Sequence, residues 1–211
     1  METLFAYLPG IFIAYGILLV GACSPGRAIA MLMGISIDQG RRSALIACTG
    51  IACGSATTNV LTLLGVGLVL SQVGWSMILL KYLGAGYLIY LACGAFKKAL
   101  APPKIALAAQ RPQSGAALFA NAYLLQATNP KSIAFWLAIA SIGTTAGAPH
   151  GVIFFFVLSC AVLSFVCHAA WALVLSANPL RAAYQRVRRY VEGALGAFFG
   201  FAAIKLALAR T

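Results

Sequence analysis

Acidic residues are what this chain has least of. Only 3 Asp+Glu stand against 15 Lys+Arg in 211 residues, and charged residues of both signs make up 9%. A soluble domain carries about 25% charged residues. A lone water-soluble domain is therefore excluded, and so is disorder, which needs low hydrophobicity and high charge. The three carboxylates, Glu2, Asp38 and Glu192, are far apart in sequence and lie near segment ends, leaving no paired acids for acid–base chemistry. Histidine is scarce too, with two residues, and His-Glu-x-x-His is absent. The six cysteines sit inside apolar runs without a Cys-x-x-Cys pair, so they read as small buried hydrophobes rather than metal ligands or disulfides. A hydrolytic reading could use Ser24 or Ser164 with His168 as base, but no carboxylate is placed to orient the histidine. No enzyme, metal or cofactor is expected.

What the chain has instead is apolar surface. Hydrophobic residues make up 62%, and uncharged runs cover 3–26, 43–80, 112–130, 132–180 and 193–204. A helix needs about 20 apolar residues to cross a bilayer, and no period-2 barrel pattern is visible. The expectation is one all-α membrane domain over 1–211. It comprises six transmembrane helices near 4–37, 43–70, 75–96, 114–142, 151–175 and 190–208. Trp75 and Tyr190 stand at segment ends, where interfacial aromatics belong. The formal charge of +12 does not read as nucleic-acid binding, because the basic residues punctuate apolar runs instead of covering a wet face.

Charge placement gives a sidedness. Arg41, Arg42, Lys97, Lys98, Lys104, Arg111, Arg181, Arg186, Arg188 and Arg189 fall in alternate loops, while the opposite loops hold none and only Lys205 and Arg210 lie at the C-terminal end. Basic loops stay cytoplasmic. Loop 97–113 is therefore expected inside and both termini outside. Residues 178–191 read either as a short amphipathic surface helix opened by Asn178-Pro179 or as a plain stop-transfer loop.

Three cations remain inside the apolar runs: Arg27, Lys81 and Lys131. Arg27 follows Ser24-Pro25-Gly26, a helix stop and restart, with Ser24 as the expected cap and Pro25 as the first helical residue. The same device recurs at Asn129-Pro130-Lys131. Shifting the chain by 105 residues lays Pro25 on Pro130, Gly10 on Gly115, Leu19 on Leu124 and Ala22 on Ala127. The expectation is thus two inverted three-helix repeats, about 4–96 and 114–208, with first and fourth helices broken at Pro25 and Pro130. Such breaks leave amide groups and a positive dipole end at membrane depth, where transporters bind solutes. Two cations there lack a protein counter-ion, which a substrate carboxylate could supply. The rival is that both side chains snorkel to water and the prolines only kink the helices. Lys81, six residues past Trp75, is open to the same reading.

Pro25-Gly26, Gly40-Arg41-Arg42, Gly50-x-x-x-Gly54, the run Lys81 to Leu88, and Asn129-Pro130-Lys131 with Phe135-Trp136 occur in an order that resembles the LysE/RhtB family of amino-acid exporters. The resemblance covers roughly Leu8 to the C-terminus. It implies export of amino acids or similar small solutes across a bacterial inner membrane, driven by the proton motive force. Partners would be the substrate, protons and the lipid bilayer, with a homo-oligomer left open and no nucleic acid. A passive channel or a non-transporting scaffold is the alternative. The substrate site would comprise Ser24, Pro25, Gly26, Arg27, Asn129, Pro130 and Lys131, with Asp38, Ser55, Asn59 and Lys81 along a path or in coupling. Arg27 stands where the family usually has a second proline, and Ser55 where many members carry an acid. Gly50/Gly54 and Gly196/Gly200 read as helix-packing pairs.

Overall fold

The computed structural model describes residues 2–24, 26–72, 76–101, 112–141, 144–145 and 147–208, all helical or in short connections. Eight helices follow in order among them: α1 (Glu2–Cys23), α2 (Arg27–Asp38), α3 (Gly40–Gln72), α4 (Ser76–Leu100), α5 (Gly115–Ala127), α6 (Pro130–Ser141), α7 (His150–Ser176) and α8 (Asn178–Leu208). Pro25, Trp75, Lys104, Arg111 and Arg210 lie outside the described residues, as does the side chain of Lys81.

The expected six spans in two inverted three-helix repeats are corrected. Among the described residues four helical stretches are long and apolar enough to cross a membrane: Leu4–Cys23, Gly40–Gly65, His150–Val174 and Arg186–Leu208. Of the two expected spans absent from these four, 75–96 falls on α4, Ser76–Leu100, and 114–142 is divided between two short helices. Helix α5 has 13 residues and α6 has 12, about 20 and 18 Å at 1.5 Å per residue. Neither covers the roughly 30 Å hydrocarbon core alone. The breaks are also unmatched: α1 runs 22 residues before its break and α5 only 13. A second correction concerns 178–191, which is no separate surface helix; α8 runs unbroken for 31 residues from Asn178.

Short helix α6 sits among the long ones and joins two cores. Trp136 and Ile139 pack with Ile11 and Ala14 of α1 and Phe156 and Cys160 of α7. Phe135, on the next position, packs with Leu88 and Ala92 of α4 and Leu195 and Phe199 of α8. Its ring meets Phe199 edge-on at 5.5 Å between centroids. A third core joins α2, α3, α5 and α7 through Leu32, Ile35, Cys48, Ile51, Leu118 and Ala172. Large apolar side chains also point outward, with Phe5, Phe12, Leu61 and Phe154 all more than half exposed. In lipid such a surface carries no penalty.

Polar contacts tie the helix ends. Arg41 donates to the Ser176 hydroxyl at 3.1 Å, and the Gln113 amide donates to Gln39 Oε1 at 3.0 Å. The start of α3, the end of α7 and the approach to α5 thus share one end of the bundle. Within it, α3 and α5 approach backbone to backbone at Gly50 and Gly54. A Cβ on Gly50 would overlap the Phe119 carbonyl oxygen, and one on Gly54 would stand 2.6 Å from the Tyr123 carbonyl oxygen. Gly54→Ala should therefore destabilise the protein by about 1–3 kcal/mol, the usual cost of overpacking. Gly65→Ala, which meets nothing within 4 Å, should not. Thermal unfolding of the purified variants in detergent checks the contrast.

Candidate functional site

The chain stops being helical twice in its apolar interior, for visible local reasons. After Cys23 the Ser24 amide still bonds to the Val20 carbonyl. Gly26 is then extended at φ −151° and ψ −166°, and α2 starts with Gly26 as cap and no side-chain capping bond. The expected cap, Ser24, lies two residues too early. At the second break Thr128 closes α5 on the Leu124 carbonyl through its amide and its hydroxyl. Asn129 then caps α6, its Oδ1 accepting from the Lys131 amide at 3.2 Å. Gln126 and Ser132 bridge the same break, Nε2 to Oγ at 3.2 Å.

The two breaks meet through one side chain. Lys131 Nζ donates to the main-chain carbonyl of Ser24 at 2.8 Å, spanning 107 residues of sequence. It also lies 6.0 Å from the centre of the Phe135 ring and next to Gly26. The Ser24 carbonyl belongs to the last turn of α1, the negative end of that helix. One ammonium hydrogen thus meets an acceptor that the helix leaves free, and the others remain available.

Around this junction is a cavity of about 50 Å³ with walls from α1, α2, α3, α5, α6 and α7. By a measure in which about 10–15 Å³ holds one water, that is room for a few. Of the expected site residues, Ser24, Gly26, Arg27, Asn129, Lys131 and Ser55 line it together. Pro130 opens α6 but is exposed and is not in the wall. Asn59, one turn past Ser55 on α3, is buried with its Nδ2 unpartnered among the described residues. Asp38 is exposed at the far end of α2 and is not brought to the cavity. No acidic side chain is among the described walls.

The expected substrate site left out part of the wall. Gln126, Ser132, Trp136, Ser164 and His168 all face the cavity. Gln126 and Ser132 flank the second break, and Ser164 and His168 share a face of α7 at a spacing of four. That spacing was the available signal. His168 Nδ1 lies 2.8 Å from the Ser164 carbonyl. A carbonyl only accepts, so the ring hydrogen sits on Nδ1 and leaves Nε2 as an acceptor when the ring is neutral.

The exposed Arg27, Lys131, α2 amides that no side chain caps and neutral hydrogen-bonding side chains surround a partly open interior space that can hold a small zwitterion; no described carboxylate completes a nucleophile–base–acid set there. A family model described as LysE type translocator matches residues 19–210. The chain belongs to that family. As a LysE-type translocator it is a multi-pass membrane transporter of the amino-acid-exporting class, in the inner membrane, and not an enzyme. It is 27% identical over 201 residues to the threonine efflux protein of Salmonella typhi, covering 91% of this chain and 94% of the relative. The threonine efflux protein of Escherichia coli K12 is 27% identical over 203 residues with the same coverage. A membrane protein of Escherichia coli K12 described as uncharacterized, YahN, is 23% identical over 201 residues, 94% of this chain and 89% of the relative. No solved structure matches the chain.

The Lys131–Ser24 bond makes a structural prediction independent of transport. Lys131→Met keeps the stem but leaves the buried carbonyl unpaired. It should lower stability by about 1–3 kcal/mol, the cost of losing a charged partner. Ser24→Ala keeps that carbonyl and should cost far less. Thermal unfolding of both variants in one detergent gives the comparison.

Proposed function

We propose that the chain carries a small neutral amino acid of the threonine kind outward, coupled to the proton motive force, with the substrate seated where the two breaks meet. The observation that carries this reading is the pairing of Arg27 and Lys131 with the uncapped start of α2 in one cavity free of described acidic walls. A substrate carboxylate would take the ammonium of Lys131, the guanidinium of Arg27 and the α2 amides, whose dipole end is positive. The substrate ammonium would face Gln126 Oε1, Asn129 and the carbonyl ends of α1 and α5. A second positive charge on the substrate would meet cations and no carboxylate, which argues against lysine or arginine as cargo. The names of the threonine efflux relatives support the same class.

Export against a gradient needs an inward-driven ion, and the proton is the ion proposed here. Proteoliposomes with an imposed proton gradient should accumulate L-threonine against its own gradient. L-Lysine should be carried at least about tenfold less well, the penalty for burying an unpaired charge. Arg27→Ala and Lys131→Ala should abolish transport while inserting normally. Wild-type rates in both variants would refute the seat. Flux that follows only the substrate gradient after the proton gradient is collapsed would show a passive pore.

We further propose that both termini are periplasmic. The support is charge: Arg41 bonds near the end of α7, and Ala99, beside Lys97 and Lys98, packs against Gly193 close to the arginines of α8. The basic residues thus gather at one end, and anionic cytoplasmic lipid and the positive-inside rule favour that end inside. A C-terminal reporter active only in the cytoplasm should stay silent; a strong signal would reverse the orientation.

A further inference from the structure

Glu192 does not line the cavity, yet among the described residues it is the most deeply buried charge. It lies on α8 inside the membrane-crossing stretch Arg186–Leu208 and is fully buried, at 0% exposure. The other described acidic side chain, Asp38, is exposed. Neither carboxylate oxygen of Glu192 has a hydrogen-bond partner among the described residues. Arg188, one turn earlier, brings its Nε to 3.9 Å, close enough for an ion pair and too far for a hydrogen bond.

Its surroundings run from the basic end of the bundle toward the cavity. Tyr184, Arg188 and Glu192 recur every four residues and so share one face of α8. Tyr184 is buried against Ile29 and Met33 of α2 and Trp171 of α7, with its hydroxyl unpartnered among the described residues. The other charges acting on Glu192 are Lys98 from α4 and Lys131 from α6, the side chain that holds the Ser24 carbonyl. His168 of α7 and Arg27 of α2 line the cavity that Lys131 also lines. Glu192 is thus a buried negative group whose cations are Arg188, Lys98 and Lys131, and it shares Lys131 with the proposed seat.

We propose that Glu192 is the carboxyl through which protons couple to export, an inference that rests on the proton-driven reading above. A loosely held carboxylate suits a group that must change charge. Full hydrogen bonding would fix the ionised form, and an apolar pocket without cations would fix the neutral one. Ionised, Glu192 offsets part of the excess positive charge that Arg27 and Lys131 bring to the cavity, and so favours the substrate ammonium held at Gln126 and Asn129. When Glu192 binds a proton, that offset vanishes and the substrate is held less well. Proton and substrate then compete for one charge, which is the requirement for exchange in opposite directions. The proton, taken up from the periplasm as substrate leaves, is released along the Tyr184–Arg188 face to cytoplasmic water. No other bond forms or breaks.

Equilibrium exchange of labelled L-threonine in proteoliposomes, at equal pH on both faces, tests the coupling. In the wild type the KM for exchange should rise as pH falls, by up to about tenfold per pH unit for one competing proton. Glu192→Gln should show a raised KM that no longer depends on pH, and an imposed proton gradient should drive no accumulation. A Gln variant that keeps the wild-type pH profile or accumulates substrate overturns the inference, and so does a wild type whose exchange ignores pH. If the Gln variant fails to insert or to exchange, Glu192→Asp decides. It should retain gradient-driven flux with a displaced pH profile, and an undisplaced profile overturns the inference. A wild type that moves no amino acid at all instead removes the export reading itself.

Discussion

The bond from the Lys131 ammonium to the Ser24 carbonyl is the constraint on which the interior depends. It joins two places where the backbone leaves the helix in an apolar environment, which is tolerated only where the freed groups find partners. Without a cation at 131 the end of α1 would face the interior with an unmet acceptor. With it, one charge both closes the break and remains available to an anionic ligand. The low dielectric of the interior strengthens such a contact and raises the cost of losing it.

The remaining architecture holds that junction in place. Helix α6 is too short to cross the membrane and is kept at depth by its neighbours, with Trp136 on the α1–α7 side and Phe135 on the α4–α8 side. Close approach of α3 and α5 at Gly50 and Gly54 brings Ser55 and Gln126 into one wall. Ser36 of α2 donates to the Ala172 carbonyl of α7 at 3.1 Å, fixing the second half of the first broken segment. Three cores, one junction and a small polar cavity are therefore parts of one packing solution.

Much of the cavity wall was legible because its signals are local. A proline or glycine beside a cation in an apolar run marks a break, and Arg27, Asn129 and Lys131 were readable on that ground. The transmembrane count was not, because an apolar run such as 114–142 does not say how its length divides. The 22 residues of α1 cross alone, whereas the 13 of α5 and 12 of α6 do not. Capping also shifted, from Ser24 to Gly26, because the Ser24 amide still belongs to α1. Glu192 read only as a segment-end charge, since it stands at the start of the expected span 190–208, just past four arginines. Only the packing of α8 against α4 shows that one face of that segment is buried. Ser164 and His168 share a helix face in any reading, but only the fold tells which way it points.

In the proposed seat the Lys131 ammonium meets the carboxylate of the substrate. Solid-state NMR on protein labelled with ¹⁵N at the lysine side chains, in lipid with L-threonine labelled with ¹³C at the carboxyl carbon, measures that contact through the ¹⁵N–¹³C dipolar coupling. The account predicts a coupling between the substrate carboxyl carbon and one lysine Nζ that disappears in Lys131→Met. Bound threonine without such a coupling, or a coupling that survives in Lys131→Met, would contradict it.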